Sequence, residues 1–257
     1  MVTERVVSLA PSATATVTRL DAADTVVGLT RACEWPVDGS RPPAVGGWPN
    51  PDLDAVERLD PSVVLTCDPL QRGTAAALRD RGVAVAHAEP TRLVDVFSSV
   101  AAVGAAIGRP ADGERLAADL RDRAERVRAT VPDDPDERPV VYAEEWGDPP
   151  MAAGNWVPDA VAAAGGRCPF VPPGERSREV DAAAVERADP DHAVLHWCGT
   201  DQEPADTALA DRGWAVDPTV HVLDDSLLNQ PSPRLVEGIE TLAELLHGVD
   251  AAGKASE

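Results

Sequence analysis

The phrase VERLDPSVVLTC (residues 56–67) returns about half a chain later as VERADPDHAVLHWC (residues 185–198). Glu57, Asp60 and Pro61 recur as Glu186, Asp189 and Pro190, and Cys67 recurs as Cys198. Each copy reads as a short helix that stops at Asp-Pro, because proline resists helix continuation. A short apolar run follows, SVVLTC or HAVLHW, as expected of a strand buried on both faces. Downstream, LRDRGVAVAHAEP from Leu78 is answered by LADRGWAVDPTVHVL from Leu209. Both read as a helix closed at Arg-Gly, where glycine suits the C-terminal cap, followed by a strand. RVVSLA heads the first half and PVVYAEE the second. A repeat at this spacing predicts two similar lobes, since solenoid repeats have much shorter periods. Strands alternating with helices predict α/β lobes with parallel sheets.

Between the copies, Leu116, Leu120, Val127 and Val131 recur at helical spacing, with Ala124 filling the stripe. Asp119–Arg123 and Asp122–Arg126 have the spacing of i,i+4 pairs. This predicts one rigid helix of roughly 20 residues joining the lobes. The expected organisation is an N-terminal lobe over 1–108, a linking helix over 109–131, a C-terminal lobe over 132–250 and a disordered tail over 251–257. In NQPSPRLVEGIETLAELLHG, Ser232 is the expected cap and Pro233 the first helical residue. Leu235, Ile239, Leu242 and Leu246 form the expected buried stripe of that helix.

Composition excludes several classes. With 44 acidic and 23 basic residues the net charge is −21, which argues against a nucleic-acid surface, where cations must cluster on phosphates. Such acidity reads as a solvated shell suited to high salt. Cys33, Cys67, Cys168 and Cys198 are far apart and form no CxxC pair, so buried free thiols are expected rather than a zinc cage or a disulfide frame. No apolar run reaches bilayer length. The start, MVTERVVSLAPSA, has no basic region followed by a long apolar region. It predicts a cytoplasmic protein, or an extracytoplasmic one if the true start lies upstream.

In open α/β sheets, ligands bind beyond the carboxyl ends of the strands. Two facing lobes would make a cleft lined by APSAT, TRACEWP, GGWPN and CDPLQ from the first half. EEWGDPPMAAGNW, WCGT and DSLLNQPS would line it from the second. Trp35, Trp48, Trp146, Trp156 and Trp197 all fall in these loops, and only Trp214 does not. Tryptophan supplies apolar area and one donor, suited to a large flat ligand. Hydrolase, phosphate-loop and zinc-protease motifs are missing. His192 and His196 share a strand at a spacing that allows a metal pair or simple packing, and no metal site is expected. Asp224–Asp225 and Glu144–Glu145 are acids without a partnered nucleophile, so no catalytic residues are expected.

RVVSLAPSATATV, VVGLTRACEWP, GGWPNPDLDAVERLDPSVVLT, GNWVPDAVAAAGG, ADPDHAVL and PSPRLVEGIETLAELL, in this order, resemble the helical-backbone solute-binding proteins of ABC importers. The likeness is to their cobalamin-binding members and runs from Arg5 to about His247. It implies a non-catalytic protein that holds a corrinoid, with no catalytic cofactor, as part of an uptake system or as a cytoplasmic relative. The ligand would stack on Trp48 and Trp156, with Trp35, Trp146 and Trp197 as further contacts and N–H groups near Ser12 facing its oxygens. Residues Asp225, Ser226, Leu227, Leu228 and Asn229 match the second ligand-contacting loop. Asp54 matches an acid that docks on an ABC permease. Leu227 stands where the family can place tryptophan, Asn229 where a second docking acid would be, and Ala32 where an aromatic contacts ligand. Haem, an iron–siderophore, direct zinc or manganese binding and a corrinoid-handling enzyme are the alternatives. Arg31 is one of few basic residues in these loops, which disfavours an anionic siderophore.

Overall fold

A computed structural model describes residues 4–35, 40–199 and 204–249. The expected tail lies outside these residues. The chain forms two compact units, Met1–Pro90 with Val94–Leu120, and Thr91–Leu93 with Arg121–Glu257.

The first unit is built from β1 (Val6–Ser8), α1 (Pro11–Arg19), β2 (Val26–Leu29), α2 (Leu53–Arg58), β3 (Val63–Cys67), α3 (Arg72–Asp80), β4 (Val85–Ala88) and most of α4 (Leu93–Ala106). Its four strands are parallel in the order β2-β1-β3-β4. Successive strand residues face opposite sides of a sheet. Val6, Val63 and Leu65 therefore enter one core with Val17 of α1, while Val7, Leu9 and Val64 enter another with Val56 and Leu78. Cover on both faces explains why the strands read as continuous apolar runs.

Helix α5 (Pro110–Arg128) has 19 residues and is about 28 Å long. The boundary between the units falls inside it, between Leu120 and Arg121. Val131 lies beyond its end, yet is buried. Helix α4 buries Val96, Phe97, Val100 and Gly104, while Asp95, Ser98 and Ser99 lie on its other face. It meets the start of α5 through glycine. A Cβ on Gly104 would lie 2.5 Å from Gly113 Cα, so only hydrogen allows this approach.

The second unit holds β5 (Val141–Gly147), β6 (Pro150–Ala152), α6 (Val157–Ala163), β7 (Arg178–Glu179), α7 (Ala182–Ala188), β8 (His192–Leu195), α8 (Ala208–Asp211), β9 (Thr219–Val222) and α9 (Arg234–His247). Its sheet order is β7-β6-β5-β8-β9. The expected parallel pairing forms the centre of this sheet, and the sequence did not reveal its antiparallel extension. β5, β8 and β9 are parallel, but β6 and β7 extend the sheet in antiparallel fashion. Asp148-Pro149 turns β5 back on itself, so part of the stretch read as a loop is a hairpin. Tyr142, Ala193 and Leu195 pack with Phe170, Val180 and Val185, and Leu235, Ile239 and Leu242 of α9 are fully buried.

The repeated phrase has one backbone meaning in both units. Asp52 and Asp181 cap α2 and α7 by accepting from Ala55 and Ala184 N–H groups at 3.0 and 2.7 Å. Asp60 and Asp189 then turn left-handed, at φ 45° and 46°, a conformation aspartate tolerates better than most residues. Proline follows, and the chain enters β3 or β8. Gly82 and Gly213 end the next helices at φ 82° and 71°.

Candidate functional site

At the carboxyl end of the first sheet, one side chain organises three loops. Gln71 is fully buried. Its Oε1 accepts from Cys67 N–H at 2.9 Å, and its Nε2 donates to the carbonyls of Leu9 and Trp48, both at 2.9 Å. Buried polar groups of the backbone need partners, and here one amide supplies three. Gln71 thus fixes the turn into α1, the Trp48 loop and the exit from β3. The indole of Trp48 is half-buried. Ser12 is buried in the first turn of α1, within hydrogen-bonding reach of Cys67. Burial pushes the Cys67 thiol up to about 11 in spite of that bond.

The loop after β2 is held by Arg41, whose Nη2 donates to the carbonyls of Thr30 at 3.1 Å and Cys33 at 2.9 Å. Ala32 is exposed and Trp35 is half-buried. Trp35 packs against the core beside β1 and β2, and its buried Nε1 has no partner among the described residues. Asp54 is exposed on α2. It shares Arg81 with Glu57, at 2.7 and 2.8 Å.

The second unit has its own polar hub. Glu144, near the end of β5, is fully buried. Arg212 meets its two oxygens at 2.6 and 2.9 Å, Trp197 Nε1 donates to it at 2.8 Å, and the Tyr142 hydroxyl donates at 2.5 Å. Burial, then the Glu144 charge, holds the Tyr142 phenol far above its ordinary range. Arg212 also lies 5.1 Å from the Trp214 ring centre, in cation–π range. Trp197 lies over Gly147 so closely that a Cβ there would strike the indole. Trp146 is 38% exposed, the most open tryptophan, and its Nε1 donates to the Asp148 carbonyl at 2.6 Å.

Trp156 does not present an open face. Only 8% exposed at the start of α6, it donates from Nε1 to the Leu228 carbonyl at 2.7 Å. It is a strut for the 225–229 loop. Asp224 caps the short turn Asp225–Leu227 by accepting from Ser226 N–H at 3.0 Å. Ser226 and Leu228 are buried, while Asp225, Leu227 and Asn229 are partly exposed. The side chain of Asn229 clamps His196: Nδ2 donates to the His196 carbonyl at 2.5 Å, and Oδ1 faces Nδ1 at 2.6 Å. The carbonyl oxygen of Asn229 can only accept, so His196 Nδ1 carries the proton.

His192 and His196 do not face one another. His192 stacks on His221 across β8 and β9, with Nδ1 and Nε2 3.0 Å apart, and His196 lies past the end of β8. Among the described residues no three histidine, cysteine or acidic side chains are grouped to hold a metal. No helix there is long and apolar enough to cross a membrane.

The structure thus links Trp48 with the turn before Ser12 through Gln71. It links Trp146, Trp197, Trp156 and the 225–229 loop through Glu144, Gly147, His196 and Leu228. Gln71 and Arg212 were not singled out from the sequence; a polar residue in a loop reads alike whether or not the fold buries it.

The chain matches the periplasmic binding protein family over residues 6–221. It belongs to that family. A cobalamin-binding protein of Halobacterium salinarum is 30% identical over 95% of this chain and 69% of its own length. Among solved structures, the periplasmic haem-binding protein RhuT of Roseiflexus in apo form superposes with a TM-score of 0.80 at 24% identity, covering 97% of this chain and 99% of that one. The periplasmic vitamin B12-binding protein BtuF of Vibrio cholerae gives 0.75 at 19% identity, covering 98% of each chain. At these identities the two structures establish the shared α/β fold.

Two outcomes follow from the buried hubs. Gln71→Leu leaves one donor and two acceptors unpaired, and should lower the unfolding free energy in urea by about 3 kcal/mol; a loss below about 0.5 kcal/mol would contradict the three-loop role. Burial lowers His196 to about 4 from its ordinary 6.5, so acid favours the unfolded chain. Its contribution is complete above about pH 6.5 and is lost toward pH 4, about 3 kcal/mol in all. His196→Gln, measured beside the parent at each pH, should flatten that fall; parallel curves would contradict it.

Proposed function

We propose that this protein is a non-catalytic receptor for a corrinoid, held against tryptophan-bearing strand-end loops. The half-buried Trp48, its backbone pinned by Gln71, carries the proposal. It offers an indole whose loop is already ordered, so little conformational freedom is lost on binding. Trp146 and Trp197 supply apolar area on the second unit, with Trp197 fixed by Glu144. The named relative in Halobacterium salinarum supports the same ligand class.

The state of four side chains able to ligate haem iron supports a corrinoid over haem. Haem iron is usually held by a histidine, cysteine, methionine or tyrosine of the protein, whereas a corrinoid brings axial ligands of its own. Tyr142 is the only tyrosine and is fully buried against Glu144. His196 is fully buried, and His87 lies between Thr66 and Glu89 at 2.9 and 2.8 Å. Burial, together with Glu145 and Asp225, pushes the Cys198 thiol up to about 11, away from the thiolate that ligates metals.

Family membership supports an ABC permease as partner. In this reading Asp54 is the docking acid, presented with Glu57 around Arg81. Asn229 is engaged by His196 and contributes through the loop it holds.

A tryptophan-fluorescence titration with cyanocobalamin, with haem as competitor, tests the ligand. Saturable one-to-one quenching at micromolar Kd or tighter is expected, with Trp48→Ala weakening it at least tenfold, about 1.4 kcal/mol. Unchanged affinity in Trp48→Ala would remove that residue from the site. Tighter binding of haem would overturn the corrinoid reading.

A further inference from the structure

Arg31 stands out among the arginines near the strand ends. Arg72, Arg81 and Arg212 each meet a carboxylate within 2.9 Å. Arg31 is exposed, and its side chain makes no hydrogen bond or ion pair among the described residues. Its backbone is nevertheless fixed, with N–H donating to Gly46 O at 2.9 Å. Its Nη2 lies 3.8 Å from the Cβ position of Gly47, the neighbour of Trp48. A cation against the neighbour of Trp48, with no ion pair among the described residues, is notable in a chain of net charge −21.

The adjacent strand end carries the same sign. Thr30 N–H donates to Ser8 O at 3.2 Å, joining the ends of β2 and β1. β1 runs into α1, a nine-residue helix with no side-chain cap and no acid in its first turn. Its N-terminal dipole is uncompensated there. The helix end carries partial positive charge of its own, and the unpaired guanidinium beside Gly47 favours an anionic oxygen.

We propose that Arg31 is a specificity-determining residue that receives the phosphodiester of the ligand's nucleotide loop. The site would then select complete corrinoids over cobinamides, which lack that group. The inference rests on the corrinoid reading above. A neutral ring edge gives Arg31 only weak hydrogen bonds, whereas a phosphodiester gives charge-assisted ones.

The test is a set of titrations with cyanocobalamin and dicyanocobinamide on the parent, Arg31→Gln and Arg31→Lys. The parent should bind cyanocobalamin about tenfold more tightly, with the gap narrowing as salt screens an exposed charge. Arg31→Gln should bring the two ligands within about twofold by weakening cyanocobalamin, and Arg31→Lys should keep part of the gap. Equal binding of both ligands by the parent, or equal weakening of both in Arg31→Gln, would overturn the inference and leave the corrinoid reading standing. Failure of the parent to bind either ligand would overturn both.

Discussion

A parallel sheet ends in backbone groups that no further strand pairs, and this protein meets that constraint with buried side chains. In the first unit Gln71 takes Cys67 N–H and gives to Leu9 and Trp48. An unsatisfied buried group costs about 1–3 kcal/mol, so these loops are fixed wherever Gln71 is. The Trp48 indole, the start of α1 and the turn after β3 depend on one amide.

The second unit meets the constraint with charge. Glu144 is buried against Arg212 and takes further donors from Trp197 and Tyr142. Removing one partner of such a pair strands the other, at a cost of about 3–5 kcal/mol. Acidity at Glu144 is therefore structural, and its product is the placement of Trp197 over Gly147. His196 and Asn229 fix the 225–229 loop similarly. Each unit thus presents tryptophan on backbone that is already ordered.

The repeat was legible because its residues have local meaning. Asp52 and Asp181 cap helices, Asp60 and Asp189 turn left-handed, and Pro61 and Pro190 forbid continuation. Strand cores such as VVLTC and HAVL carry the apolar run that two-sided burial requires. β6 escaped notice because three residues beginning with proline carry little strand signal. Gln71 escaped because its partners lie far away in sequence, and only the fold brings Leu9 and Trp48 to it. For the same reason Trp156 read as a wall: its indole N–H reaches the Leu228 carbonyl, far away in sequence. Arg31 was visible as a cation, but its lack of a partner among the described residues was not.

Whether pre-ordered strand-end loops hold the ligand can be read from hydrogen exchange, followed by mass spectrometry with and without cyanocobalamin. Slow exchange is expected in the free protein around residues 9–13, 66–71 and 225–229. Cyanocobalamin should add protection at 46–50, 144–148 and 196–199, with little change in α3, α7 or β7. Fast exchange in the free loops, or protection concentrated away from the strand ends, would contradict a pre-ordered site.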